Sequence, residues 1–578
     1  MKRRMLIPLI LLVTIFLTLE FINIFGVVAS VLTLAFVDLF LYHRKEINLE
    51  KDFEVESEKE RFEEEKRKKE FPKKFPKISK IPILNRITKW MYKEGWYSVA
   101  LVLLLVIGFM IQLYIAKIRW VGTDEGRLLY DSQLIDLGKV PFRDFFARAP
   151  LLIYILAILQ KISPPSILLG RLVSILFNCG TTIIIFLIGK EFSNNKVALV
   201  SSFIYLFSPF IYLSTQVRTQ PSQIFFVSLF IYSISTYFIK NKKNNHKLIL
   251  SGIFLGLAIT IRKSALIFLF TTFILFFLYL KGKKNAIKKY SLFFLSCFCI
   301  ISICFIPFII LSRSIGPLLS GAGISNEPIS LEMTFYRFLI GLNDILFFIP
   351  FLIIFFIILY KKFGASSPRI YNLKNSPIHI IPLSWFLSIF LFYFYYVIAK
   401  SFWASYFIEF IPPIAIISAG SVIKLFNSLS LNKKSYLICT LKRFTFTFLI
   451  VGLFIFSHLC AYSDPPRYTQ ETISEVSGYV KDNVSEDEYI LCGSPIWAYM
   501  SQQRTVLDIS HPRFDNNEIE AIKKCLEEGK IKLIILDGKM DKYFENLEIK
   551  EYIHLNYYTV KTVQNGDFRE IIILKRKN

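Results

Sequence analysis

The 578-residue chain has little of what common catalytic and metal sites are made from. It holds six histidines and eight cysteines, and no Cys/His spacing among them fits a zinc site. Cys179, Cys297, Cys299, Cys304, Cys439 and Cys460 lie in or at the end of apolar runs, where a thiol behaves as a small hydrophobe. Cys492 and Cys525 share the C-terminal tail, but Cys492 reads as a buried strand position, which weighs against a bond between them. That tail has no glycine-rich phosphate loop and no nucleophile motif. The opening residues show no signal-peptide cleavage pattern, so they are expected to stay as a membrane anchor. Acid is scarce, with 44 Asp and Glu against 69 Lys and Arg, a net charge of +25. Such an excess raises nucleic acid as a partner. Here the cations collect in short loops between apolar runs, the positive-inside pattern of membrane proteins, and nucleic-acid binding is set aside. No inverted repeat of the kind expected in a transporter is visible.

Apolar sequence is what the chain has most of: 54% is hydrophobic and 16% aromatic, with a mean hydropathy of +0.48. These values belong to a polytopic membrane protein. Residues 1–44 are expected to form a membrane hairpin, because the apolar run is too long for one span of about 20 residues and is basic at both ends. Residues 45–95 read as a charged cytoplasmic linker. Spans are expected near 97–118, 166–189, 196–213, 221–239, 248–261, 264–280, 290–312, 335–360, 377–399, 404–426 and 441–461, for a total of about 13 with the hairpin. The basic loops place 119–165, 262–263, 313–334 and the tail on the extracytoplasmic side. Residues 463–578 alternate strands and helices, including strands at YILCGS, TVLDIS and IKLIILDG and a hairpin on Asn565-Gly566. That pattern predicts a small α/β domain.

One stretch stands apart. Trp120 to Pro150, WVGTDEGRLLYDSQLIDLGKVPFRDFFARAP, carries four aspartates, one glutamate and three arginines between membrane-type sequence. Thr123 is placed to cap a helix over Asp124 to Leu137, with Gly138 just past its end. Asp124, Arg127 and Asp131 would share a polar face, and Tyr130, Leu134 and Leu137 an apolar one, so the helix is expected to lie along the membrane surface. The acidic pair at its start has two readings: chemistry, or a charge bias that favours the helix N-terminus.

The pattern DEG…Y…GKVPFRDF…PL resembles the first extracytoplasmic loop of GT-C glycosyltransferases, of the protein mannosyltransferase and aminoarabinose transferase type. The resemblance runs over about Val99 to Val422 and rests mainly on this loop and the order of elements. It implies a mainly α membrane bundle over 96–462 with a C-terminal α/β domain. It implies an inverting transfer of a hexosyl or pentosyl group from a polyprenyl-phosphate sugar to an acceptor hydroxyl on a lipid, glycan or protein. Asp124 would be the general base, with Glu125 as helper, holding either the acceptor or a divalent metal ion. The family carries an acidic residue near a T-E-P or T-D-P segment, where this chain has Gln220, which puts the metal in question.

The leaving phosphate needs fixed cations. Arg262 and Lys263, which follow GIFLGLAIT much as a cation follows G-L-A in the family, are the first candidates, with Arg171 and Arg218 beside them. Arg171 either binds phosphate or snorkels to head groups. Arg143, Asp144 and Arg148 are expected to lock the acidic pair by ion pairs, and Arg148 is also a candidate substrate contact. Tyr406, in KSFWASYFIEFIPP, either contacts substrate or, like Trp403, belongs to the interfacial aromatic belt. Glu409 is a membrane-embedded acid with no partner apparent in the sequence. A flippase, a polysaccharide polymerase or ligase, and a non-catalytic scaffold are the rival classes.

Overall fold

In lipid every backbone N–H and C=O must be satisfied within the segment, so long apolar runs fold as helices. The computed structural model describes residues 96–312, 332, 377–398, 404–430 and 468–577, except 146, 148–149, 209–210, 212–213, 240–244, 281–284, 486, 511–515, 539, 541–545 and 567. The expected hairpin 1–44, the linker 45–95, the spans at 335–360 and 441–461, Arg148 and Trp403 lie outside the described residues.

The described bundle begins with α1 (Trp96–Ile118) and α2 (Thr123–Asp136) and continues with α3 (Pro150–Gln160), α4 (Ile167–Phe192), α5 (Asn195–Leu206), α6 (Thr219–Ile239) and α7 (Asn245–Ile261). A 3-10 turn at Lys263–Ile267 leads to α8 (Phe268–Leu280), then α9 (Ala286–Ser312) and α10 (Pro377–Ile398). A second 3-10 turn, Ala404–Phe410, leads to α11 (Ile411–Ser430). Among the described residues, five segments are long and apolar enough to cross a membrane: Tyr97–Ile118, Ile167–Phe192, Thr219–Ile239, Lys263–Leu280 and Ala286–Leu311. Shorter apolar helices lie among them in the described residues, and the chain is a mainly α membrane protein. Helix α3, inside the charged loop, is not among the expected elements. The tight join between α7 and α8 has a simple form: Arg262 alone is extended, at φ −149° and ψ 123°, before the 3-10 turn begins.

The tail folds as α12 (Gln470–Asn483), β1 (Tyr489–Cys492), α13 (Ile496–Ser501), β2 (Arg504–Thr505), α14 (Asn516–Glu527), β3 (Ile531–Leu536), α15 (Leu547–Asn556), β4 (Tyr557–Asn565) and β5 (Phe568–Arg576). Its sheet has the order β2-β1-β3-β5-β4. The first three strands are parallel, and the β4–β5 hairpin is added antiparallel to β3. The expected strand at TVLDIS is cut to two residues. Arg504 grips both oxygens of Asp508 at 2.9 Å, and Leu507 and Asp508 take positive φ, so the chain turns instead of extending. Cys492 and Cys525 are both free thiols.

Loop and tail share one core. Val121, Leu128, Leu129, Tyr130 and Leu134 pack in a single cluster with Tyr468, Ile473, Trp497, Tyr499 and Ile573. A backbone hydrogen bond from Val121 to Tyr468, 2.9 Å, ties the two chain segments directly. They must therefore lie on one side of the membrane. Asp136 and Lys550 are both exposed. In a cysteine-depleted background, Asp136→Cys and Lys550→Cys are expected to react with an impermeant maleimide from the same side. Labelling from opposite sides would contradict the shared core.

Candidate active site

Helix α2 starts with its acidic pair where the helix dipole favours negative charge. Gly122, not Thr123, is the N-cap, and no side chain caps the helix. Asp124 is exposed. Glu125, one residue on, is 1% exposed. A buried carboxylate is costly unless it is paired and hydrogen-bonded, and Arg171 of α4 supplies the pair. Arg171 Nε donates to Glu125 Oε1 at 2.8 Å and Nη2 to Oε2 at 2.7 Å. Its remaining N–H groups reach the carbonyls of Ala116 (2.6 Å), Arg119 (2.8 Å) and Trp120 (2.8 Å). All five donors of a fully buried guanidinium are thus engaged. Glu125 Oε1 also accepts the Val217 N–H at 2.9 Å. Neither Arg171 as a phosphate ligand nor Arg171 as a head-group contact matches this geometry: it is the clamp on Glu125.

Two glycines permit the packing. A Cβ on Gly126 would lie 2.8 Å from Ile496 Cβ of α13, so the glycine of DEG is where the tail domain sits on α2. A Cβ on Gly170, just before Arg171, would lie 2.7 Å from Leu129 Cδ2 and 2.8 Å from Val217 Cγ2. Further along, Tyr130 Oη accepts the Thr505 N–H at 2.9 Å, and Tyr499 Oη accepts the Ser166 N–H at 3.0 Å. Burial pushes both phenols up, Tyr499 to about 12. Lys139 pairs with Asp508 at 3.1 Å. Every residue from Glu125 to Leu134 is buried. The expected surface helix is instead held between the bundle and the tail domain, and its supposed polar face, Arg127 and Asp131, forms a buried pair at 3.8 Å.

Arg218 is bound to the same corner. It donates to Gln216 Oε1 at 2.8 Å, while Gln216 Nε2 donates to the Trp120 carbonyl at 3.1 Å. Arg218 precedes α6, whose fifth residue, Gln223, opens a second polar cluster. Gln223 Nε2 lies 3.0 Å from Ser264 Oγ and 3.4 Å from Glu409 Oε2. Glu409, 3% exposed, pairs with Arg262. The Arg262 guanidinium lies 4.8 Å over the Tyr406 ring, and Tyr406 stacks on Tyr393. A small cavity beside the pair is lined by Gln223, Ile224, Val227, Phe268, Trp385 and Glu409. Lys263, half-buried, follows Arg262. Val217 and Gln223 are six residues apart in sequence, so the start of α6, rising about 1.5 Å per residue, joins the two clusters.

The structure thus brings together Asp124, Glu125, Arg171 and Arg218 at one end of α6, and Arg262, Lys263 and Tyr406 one turn further in. Arg143 and Asp144 do not lock the acidic pair. They bond each other at 2.8 Å, and Asp144 accepts the Val140 N–H at 2.8 Å, closing their own loop. The Arg143 hydrogen bond holds the Asp144 carboxyl below its usual range. Gln216, Gln223 and Ser264 are not among the expected site residues; a polar group in an otherwise apolar helix is the signal that marks Gln223. Among the described residues no three His, Cys, Asp or Glu side chains cluster as metal ligands. With both Glu125 oxygens engaged, these residues do not fit a divalent ion at Glu125.

Comparison with known proteins points the same way. Residues 147–311 match the family described as dolichyl-phosphate-mannose-protein mannosyltransferase. The fold is similar to ArnT from Cupriavidus metallidurans bound to undecaprenyl phosphate, at 10% identity and a TM-score of 0.58, covering 83% of this chain and 98% of that one. It is also similar to the oligosaccharyltransferase AglB from Archaeoglobus fulgidus in complex with an inhibitory peptide and a dolichol-phosphate. That likeness has 12% identity and a TM-score of 0.52, over 83% of this chain and 76% of the other. No curated protein matches the chain in sequence. The chain therefore has the GT-C fold, and the family that the sequence resembles recurs in both comparisons, the family match beginning at residue 147, after the acidic pair.

Proposed function

We propose that the chain transfers a sugar from a polyprenyl-phosphate donor to an acceptor hydroxyl on the extracytoplasmic side of the membrane, with Asp124 as the general base. The observation that carries this reading is the division of labour in the acidic pair. Glu125 is buried and clamped by Arg171, and it holds the first turn of α2 in place. Asp124 is left exposed on that turn, where an acceptor hydroxyl can meet it. Glu125 is then a positioning residue rather than a ligand for metal or acceptor. The fold neighbours hold undecaprenyl phosphate and dolichol-phosphate, which supports a lipid phosphate as the carrier here. Arg262 and Lys263 are assigned to that phosphate, and Arg218 to the space between it and Asp124. A single attack opposite the phosphate inverts the anomeric centre. The acceptor can be a lipid, a glycan or a protein.

The test is direct. Purified full-length protein in detergent, given polyprenyl-phosphate sugars and hydroxylated acceptors, is expected to release free polyprenyl phosphate with sugar on the acceptor. Folded protein that transfers nothing across a panel of donors would refute the reading. Within it, Arg262→Ala is expected to raise the donor KM and leave the acceptor KM nearly unchanged. One charge-assisted contact in a partly dry site contributes about 1.5–3 kcal/mol, or roughly ten- to a hundredfold in KM.

A further inference from the structure

We infer that Glu409 sets the charge of the donor-phosphate site so that it favours the singly charged donor over the doubly charged lipid phosphate left after transfer. This rests on the assignment of Arg262 and Lys263 to the donor phosphate. The starting observation is an apparent conflict. A site for an anion contains a buried carboxylate, 3% exposed, in contact with its principal cation. Repulsion between Glu409 and an incoming phosphate weakens donor binding. A residue serving only to hold Arg262 would do so at less cost if it were neutral, as Gln223, 3.5 Å from Arg262 Nη1, already is.

Charge balance resolves the conflict. At the start of α2, the carboxylate of Glu125 is matched by the guanidinium of Arg171. One turn into α6, Arg262 is paired with the carboxylate of Glu409; Lys263, the next residue and the second cation assigned to the phosphate, then leaves the assigned site with a single positive charge. In the reaction, the bond from the anomeric carbon to the phosphate oxygen breaks and its electron pair stays on that oxygen. The anomeric carbon bonds the acceptor oxygen, and the acceptor's proton passes to Asp124. The lipid phosphate changes from a diester with one negative charge to a monoester that carries close to two at neutral pH. A site of one positive charge is matched to the diester. Removing Glu409 would leave two, matched to the product, which would then be retained. Glu409 is held by its surroundings in a position to act this way. Gln223 contacts it, and apolar Ile224, Val227 and Phe268 wall the cavity beside it, so its field is poorly screened.

The test uses full-length protein in detergent and two defined probes, a polyprenyl monophosphate and its methyl phosphodiester. Glu409→Gln is expected to tighten the monophosphate about tenfold more than the methyl ester, the size of one unit charge acting over several Å at intermediate dielectric. In turnover the same variant becomes correspondingly more sensitive to inhibition by polyprenyl phosphate. Glu409→Asp keeps the charge and is expected to keep the wild-type ratio of the two affinities. If Glu409→Gln weakens both probes equally or leaves the ratio unchanged, Glu409 only positions Arg262 and the inference is overturned. Should that variant not accumulate, Lys263→Gln moves the charge the other way and must shift the ratio toward the methyl ester; an unchanged ratio overturns the inference there too. Arg262→Ala separates the two levels. If it weakens neither probe, the phosphate assignment itself fails, whatever Glu409 does.

Discussion

Asp124→Asn is expected to reduce sugar transfer by about 10²–10⁴-fold, the usual loss when a general base is removed. Asparagine keeps the shape of the side chain and its polarity at the start of α2, but it cannot accept a proton from the acceptor at neutral pH. The protein is expected to insert and purify normally, because Asp124 is exposed. A carboxylate at a helix N-terminus contributes no more than about 1 kcal/mol in such a setting. The measurement is turnover at matched protein concentration, with melting temperature recorded alongside. Near-normal turnover with an unchanged melting temperature would show that Asp124 serves the helix dipole alone, and the catalytic assignment would have to be withdrawn. Donor KM should be little affected, since the variant acts on the acceptor proton and leaves Arg262 and Lys263 in place.

The periodic and local features of the fold were legible in the sequence; the contacts between distant segments were not. Apolar length marks α1, α4 and α6 within a few residues, since in lipid there is no alternative to the helix. Gly138 marks the end of α2 because its φ of +80° suits glycine. The Asn565-Gly566 turn marks the last hairpin, where Gly566 has a φ of +60°. In contrast, α2 looked like a surface helix because its covering partner, the tail domain, begins more than 300 residues later. Its polar residues Arg127 and Asp131 carry no sign in sequence that they pair inside. The same holds for the site. Asp124-Glu125 stands out as an acidic pair, yet which member is buried depends on Arg171, 46 residues away. Glu409 read as an orphan because its partner Arg262 lies 147 residues earlier. Arg171 read as a phosphate ligand because five guanidinium donors suit phosphate and a ring of carbonyls equally well.

Arg171→Met is expected to be the most destabilising single substitution in the described site, by about 3–5 kcal/mol, as for other buried pairs broken from one side. Methionine fills much of the volume, so the loss is electrostatic rather than a cavity. It leaves Glu125 buried without its counter-ion and releases the carbonyls of Ala116, Arg119 and Trp120 from their donors. Those carbonyls hold the end of α1 and the entry to α2, so the turn carrying Asp124 loses its position as well. Glu125→Gln is expected to be milder in stability but still poor in activity. Its amide oxygen can accept from Arg171 and Val217, but its NH2 group then faces Arg171 Nη2, two donors against each other. An apolar replacement of both partners often relieves a buried pair. Here it should not, because the three carbonyls and the Val217 N–H would remain unsatisfied. Melting temperatures of Arg171→Met, Glu125→Met and the double variant in detergent decide the matter. A double variant as stable as wild type would mean that the pair is dispensable to the fold, and that α2 is held by the tail domain through Ile496, Thr505 and Tyr499 alone.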